Sequence, residues 1–348
     1  MSRRTTIVTA GLAAGAVAGG MIGRTVLNAR RRASDPEAHE RLSSLPPDDL
    51  GTVRSFDGTG IAVRASGPAS GPVVLFAHGF SLDLTAWHYQ WTGLSERFRC
   101  VTFDFRSHGR SQRAADGDVS PAALGHDLAA VVDAVAPEGR ALVVGHSMGA
   151  MAILAMAEMR PDLVEDRLVG VVFAGAAASD LLRGAMGSIT ELLRPRIGSL
   201  RQAAQRVNRL RRYVLSSPVD VGHLVARATQ FGPHASPHVV DYVVGLAAAA
   251  PPEVWTDGLA GLMDLDLQHA VRHVRVPSLI LVGEHDRVTP PSSAVGLAAD
   301  LPDGRLEVIE GAGHIPMMEA HEEFNRRLER FADQVFGRGA RRRAGRGR

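Results

Sequence analysis

Ala141-Leu142-Val143-Val144-Gly145-His146-Ser147-Met148-Gly149 is the stretch on which the reading of this chain turns. Four apolar residues make a short run of the kind found in a strand buried on both faces. Gly145-His146-Ser147-Met148-Gly149 follows as G-x-S-x-G, and a helical pattern opens at Met148. In this strand–turn–helix setting the turn is sharp, so the positions two before and two after the serine must be small, and the hydroxyl is exposed above the sheet. The helix start behind it brings backbone N–H groups and a positive dipole end to the same place. Ser147 therefore reads as a candidate nucleophile; the plainer alternative is a turn residue.

A hydroxyl is a poor nucleophile without a base, and the base needs a third group to hold its tautomer. The chain has 14 histidines, so position must choose among them. His314, in Gly311-Ala312-Gly313-His314, follows the apolar run Leu306–Ile309 and precedes the final helix. Asp286, in Gly283-Glu284-His285-Asp286, follows the run Ser278–Val282. The order Ser, Asp, His is one in which such a triad is found on a strand–turn–helix elbow. His285 and His321 are the nearest rivals to His314, and Asp180 is the rival to Asp286. For the oxyanion, one donor is expected from the backbone N–H of Met148. The other is expected from Phe80 in His78-Gly79-Phe80, where the glycine permits close approach, although His78 and Gly79 could equally serve only to shape the turn.

Working outward, Thr52–Ser55 and Ile61–Ala65 flank Asp57-Gly58 and read as a hairpin. Val73–Ala77, Arg99–Phe103, Ala141–Val144, Leu168–Ala174, Ser278–Val282 and Leu306–Ile309 read as buried strands. Between and after them lie helical segments such as Pro121–Val135, Met148–Arg160, Ser292–Ala299 and His321–Phe336. This alternation implies a mainly parallel sheet covered on both faces, with ligands beyond the carboxyl ends of the strands. From Ser179 to about His273 no buried strand is evident. That span is too long for a loop and reads as an inserted helical cap. Its arginines, from Arg183 to Arg212, read as a solvated face, or else as one turned toward a membrane or an acidic substrate.

The two ends fall outside this pattern. Ser2 to Arg32 places an uncharged Ala/Gly-rich stretch, Thr5 to Gly23, between Arg3-Arg4 and Arg24 with Arg30 to Arg32. Three readings stand open: a retained membrane anchor with Gly11, Gly15, Gly19 and Gly23 on one face, a cleaved export signal, or an Ala/Gly tail. The arginine cluster after the stretch argues for a cytoplasmic body, and the paired arginines before it for export. Residues 33–50 read as a linker, 51–178 and 274–336 as the two parts of the core, and 337–348 as a basic, disordered tail.

Composition bounds the rest. The 348 residues are 45% hydrophobic, enough for a large core. The net charge is only +2, with no basic motif inside the fold, which argues against a nucleic-acid partner. The single cysteine, Cys100, lies in an apolar run and cannot form an internal disulfide. Neither oligomeric state nor redox compartment follows from these features.

His78-Gly79-Phe80, Gly145 to Gly149, Gly283 to Asp286 and Gly313-His314 stand in the order seen in the α/β-hydrolase superfamily. Asp104-Phe105-Arg106-Ser107-His108-Gly109-Arg110-Ser111 resembles that family's D-x-R-G-x-G-x-S turn, with Ser107 in place of the usual glycine. A second departure is Ala150, where a further glycine is usual. The resemblance covers about Thr52 to Phe336. It implies an α/β-hydrolase fold: a mainly parallel eight-stranded sheet, helices on both faces and an inserted cap. Family members that open epoxides or displace halide carry aspartate at the elbow, so Ser147 points to acyl transfer to water without a cofactor or metal. A carboxylic ester with an apolar acyl chain is the expected small-molecule substrate. Thioester, amide and carbon–carbon bond cleavage, or a non-catalytic binding role, are the alternatives. Phe80, Trp87 and His146 are the candidate substrate contacts, with Trp91 near them.

Overall fold

The apolar runs pair into one eight-stranded sheet, ordered β1-β2-β4-β3-β5-β6-β7-β8. The computed structural model describes residues 34–137, 139–178, 221–251, 254–255 and 266–346. The strands are β1 (Asp48–Arg54), β2 (Gly60–Ser66), β3 (Val73–Ala77), β4 (Arg99–Phe103), β5 (Ala141–His146), β6 (Leu168–Ala174), β7 (Ser278–Gly283) and β8 (Gly304–Ile309). β1 and β2 form the expected hairpin, and β2 pairs antiparallel with β4. Every other pairing is parallel. β5, β6 and β7 are buried at every position, as strands covered on both faces must be.

The helices are α1 (His88–Leu94), α2 (Pro121–Val135), α3 (Met148–Met159), α4 (Pro161–Arg167), α5 (Val221–Thr229), α6 (Pro237–Ala249), α7 (Pro291–Asp300), α8 (Pro316–Glu319) and α9 (His321–Arg346). Local chemistry sets their starts. Ser120 caps α2 by accepting the Ala123 N–H at 3.3 Å, with Pro121 at the first position, and Ser236 and Pro237 do the same for α6. Two apolar cores cover the sheet. One packs α2, α3 and α7 on one face; the other packs α1, α6, α8 and α9 on the opposite face.

Parallel register brings the carboxyl ends together. Ala77 lies opposite Gly145, Gly145 opposite Phe173, and Gly283 opposite Ile309. The loops after β3, β5, β7 and β8 therefore open at one edge of the sheet. The turn after β4 is fixed from below by Arg106. This fully buried side chain donates to both Asp127 oxygens, at 2.8 and 2.9 Å, and to Asp57 at 3.0 Å.

Several expectations need correction. The segment read as a linker, 33–50, is not free over its described residues 34–50: Leu42 is buried in the second core. Asp35 accepts from Ser236 Oγ at 2.7 Å and from the His238 N–H at 2.9 Å, so the segment is strapped to the start of α6. β1 also begins at Asp48, before the expected core boundary, because the hairpin register continues past a bulge at Asp49/Gly51. The arginine-rich end is helical through Arg346 rather than disordered: α9 is already nucleated by packed residues, and Arg and Ala propagate it. The cap contributes α5 and α6, while residues 179–220, with Asp180 and the arginines Arg183 to Arg212, lie outside the described residues. So does the segment Ser2–Arg32. Among the described residues no helix is long and apolar enough to cross a membrane. Cys100 is a free, buried thiol, pushed up to about 12 by burial.

Candidate active site

Ser147 stands at φ +50° between β5 and α3. This is the left-handed region, which a residue with a side chain enters only when its surroundings compel it. The neighbours explain the compulsion. A Cβ on Gly145 would stand 2.6 Å from backbone atoms of Gly149, and one on Gly149 would stand 2.3 Å from the Ala77 carbonyl oxygen. Ala150, the departure from the second glycine, is buried in the first core without strain of that kind at its own position. Ser107 also lies at positive φ (+62°), which explains why a glycine is usual there; its N–H donates to the Gln112 carbonyl at 3.0 Å and helps hold the turn.

His314 Nε2 lies 3.1 Å from Ser147 Oγ, and His314 Nδ1 lies 2.9 Å from Asp286 Oδ2. With Nδ1–H donating to the carboxylate, Nε2 is free to accept from the hydroxyl. The structure thus brings Ser147, His314 and Asp286 together from the ends of β5, β8 and β7. Asp286 is buried, which alone would push its carboxyl up. The charge of His314 and hydrogen bonds from His314 and Thr289 outweigh this and hold it below the usual carboxylate value. Thr289 is a site residue that the sequence reading missed. Its hydroxyl donates to Asp286 Oδ2 at 2.8 Å, and the N–H groups of Val288 and Thr289 donate to Oδ1 at 2.9 and 2.8 Å. A threonine three residues after an aspartate in a turn is the signal that could have found it.

Neither rival histidine takes the place of His314. His285 follows β7 at the same edge, but its half-buried ring pairs with Glu284, and His321 stacks on Tyr89 at 3.8 Å between ring centroids, paired with Glu37.

Met148 occupies the first helical position of α3, where a backbone N–H has no acceptor within the helix. Phe80 lies in the turn after β3, followed by Ser81 at φ +58°. Its ring meets Trp255 of the inserted region edge-on, 5.2 Å between centroids, and the Trp255 indole N–H donates to the Ala247 carbonyl at 3.2 Å. Trp255, which the sequence reading also missed, joins the turn after β3 to the cap.

Two expected substrate contacts are elsewhere. Trp87 is fully buried against Phe76 and Phe324 on the α1/α9 side of the sheet, a core residue rather than a pocket wall. Trp91 packs at the edge of the same core. His146 is buried as well, and its Nε2 donates to the backbone carbonyl of His314 at 2.8 Å. Burial, with the charge of His314, pushes its imidazole down to about 3 and keeps it neutral. It touches the loop of the candidate base.

Comparison with known proteins agrees with this fold. Residues 74–327 match the family model described as the alpha/beta hydrolase family. A bifunctional esterase/perhydrolase of Acinetobacter calcoaceticus is 30% identical over 287 residues, covering 81% of this chain and 99% of that protein. An uncharacterized protein of Mycobacterium tuberculosis is 30% identical over 292 residues, covering 80% of each chain. Among solved structures, a thermophilic esterase from Thermogutta terrifontis superimposes with a TM-score of 0.66 at 25% identity, covering 83% of this chain and 99% of that one. With the motifs, the eight-stranded sheet and the family match in agreement, the chain belongs to the α/β-hydrolase family.

Proposed function

We propose that the protein is a serine hydrolase that cleaves a carboxylic ester through an acyl-enzyme. The observation that carries this reading is the 3.1 Å approach of His314 Nε2 to Ser147 Oγ, with Asp286 on the other imidazole nitrogen. Ser147 Oγ attacks the ester carbonyl while His314 Nε2 takes its proton. The oxyanion of the tetrahedral intermediate accepts from the N–H groups of Met148 and Phe80. Collapse breaks the bond to the alcohol, which leaves with the proton from His314. Water then attacks the acyl-enzyme, with His314 again acting as base, and releases the acid and Ser147. Asp286 stays ionised throughout and stabilises the imidazolium.

An apolar acyl group is favoured by the Phe80–Trp255 pair, which brings aromatic surface to the turn after β3. The esterase names among the relatives support the same bond class. Membrane association through Ser2–Arg32 belongs to this proposal as a separate element. Recovery of the full-length protein wholly in the soluble fraction after lysis would rule that element out.

The test is hydrolysis of short p-nitrophenyl esters and labelling by a fluorophosphonate probe, each with Ser147→Ala beside the unaltered protein. Hydrolysis and labelling should both vanish in the variant. Retained activity would remove Ser147 from its role, and an unlabelled parent protein would indicate a non-catalytic binder.

A further inference from the structure

Glu319, at the end of α8, accepts three backbone N–H groups from two separate parts of the chain. Oε1 takes those of Gly313 and Ile315, the two neighbours of His314, at 3.0 and 3.1 Å. Oε2 takes that of Gly232, on the cap segment between α5 and α6, at 2.6 Å. The His314 N–H itself donates to the Gln230 carbonyl on the same cap segment, also at 2.6 Å. The two backbones lie directly on one another. A Cβ on Gly232 would stand 2.0 Å from the Gly311 oxygen, and one on Gly313 would stand 2.5 Å from the Gln230 oxygen.

We propose that Glu319 is a positioning residue that ties the cap at Gly232 to the loop carrying His314, so that cap placement and the His314–Ser147 approach are set together. This rests on His314 being the base. A carboxylate bridging both segments transmits a shift of the cap to Gly313 and Ile315, and from there to the imidazole 3.1 Å from Ser147 Oγ. Proton transfer at that distance tolerates little displacement. Glu284 offers an internal contrast. It too accepts an N–H from this loop, that of Gly311 at 3.0 Å, but it is exposed on the outer side next to His285.

Glu319→Gln separates the two ends of the tie. Two donors converge on Oε1 and one on Oε2, so the amide oxygen should settle toward Gly313 and Ile315, leaving its NH2 opposed to the Gly232 N–H. The expected result is a fall in kcat of about 10-fold on a short p-nitrophenyl ester with KM within about twofold. Amide hydrogen exchange should accelerate at Gly232 while Gly313 and Ile315 stay protected. Gly232→Ala, which breaks the tie by steric displacement, should lower kcat similarly, and Glu284→Gln should leave it unchanged. The proposal is overturned if folded Glu319→Gln and Gly232→Ala both keep the parent kcat, or if they lower only the Tm. If the unaltered protein turns over no ester, the hydrolase reading fails instead. The tie is then judged by exchange alone, and unchanged exchange at Gly232 in Glu319→Gln overturns it.

Discussion

The imidazole of His146 donates to the backbone carbonyl of His314, Nε2 to oxygen 2.8 Å, so the residue preceding the nucleophile holds the loop of its base. Gly79 makes room for this arrangement, since a Cβ there would stand 2.4 Å from His146 Nδ1. Replacing His146 by Leu removes the donor while keeping bulk. It should lower kcat about 10-fold with little change in KM, because the loop carrying the base loses its anchor. Gly79→Ala should act in the same direction by displacing the ring. Steady-state kinetics on one ester series checks both, and an effect confined to KM would return His146 to the role of substrate contact.

Asp286→Asn should cost about 10⁴-fold in kcat, since an amide can hold the wrong imidazole tautomer. Thr289→Val removes one donor to the Asp286 carboxylate at 2.8 Å and should cost far less, about two- to tenfold, by loosening its orientation. Equal losses in the two variants, measured as kcat/KM, would contradict this ranking.

Trp87 belongs to the core and not to the pocket, so its truncation should be felt in stability. Trp87→Ala should destabilise the fold by about 3–5 kcal/mol. The kcat/KM of the fraction that remains folded should be unchanged within about twofold. Urea unfolding and active-site titration together separate the two effects.

Acid should destabilise the protein through buried histidines. His78, His108 and His146 are held below the ordinary histidine value chiefly by burial, His108 at about 4 and His146 at about 3. An unfolded histidine takes its proton near pH 6.5, so between that pH and the folded values the unfolded chain binds more protons. Stability then rises with pH across this window and is lost as the pH falls below about 6.5. Asp104 opposes the trend, since burial pushes its carboxyl up to about 7 and the folded form holds the extra proton there. Burial also holds His88 down and pushes Glu319 up, so four histidines stand against two carboxylates and a net rise from pH 4.5 to 6.5 remains. The urea midpoint should follow it, and His108→Asn, which keeps a donor for the Arg106 carbonyl at 2.9 Å, should flatten it. A steeper dependence in the variant would refute neutral burial of His108.

Much of the architecture could be read before any coordinates. The runs from Val73 to Ile309 all became strands. β3 to β7 did so because a strand covered on both faces must be apolar and the helices between leave the chain few other ways to pair. β8, expected to be buried, lies instead at the sheet edge and is largely exposed. Ser147, Asp286 and His314 could be picked out because each follows a strand on a loop rich in small residues. Trp87 and His146 were misplaced for one reason: aromatic and imidazole side chains near a site suit a pocket wall and a core equally well by composition. Which face of the sheet or loop they meet depends on residues more than a hundred positions away, Phe324 for Trp87 and His314 for His146.

By itself, then, the sequence determined the fold class, the serine at the elbow and the chain order of Ser147, Asp286 and His314, since local sterics and apolar patterning act between near neighbours. Tertiary structure alone decided that residues 34–47 strap onto the start of α6, that Thr289 orients Asp286, and that Glu319 joins the cap to the histidine loop. The strap and the cap tie are hydrogen bonds between segments remote in sequence. The threonine's role becomes definite only once Asp286 is buried against His314. Donors and acceptors of this kind carry no periodicity along the chain, and only the packing of the finished sheet brings them within reach.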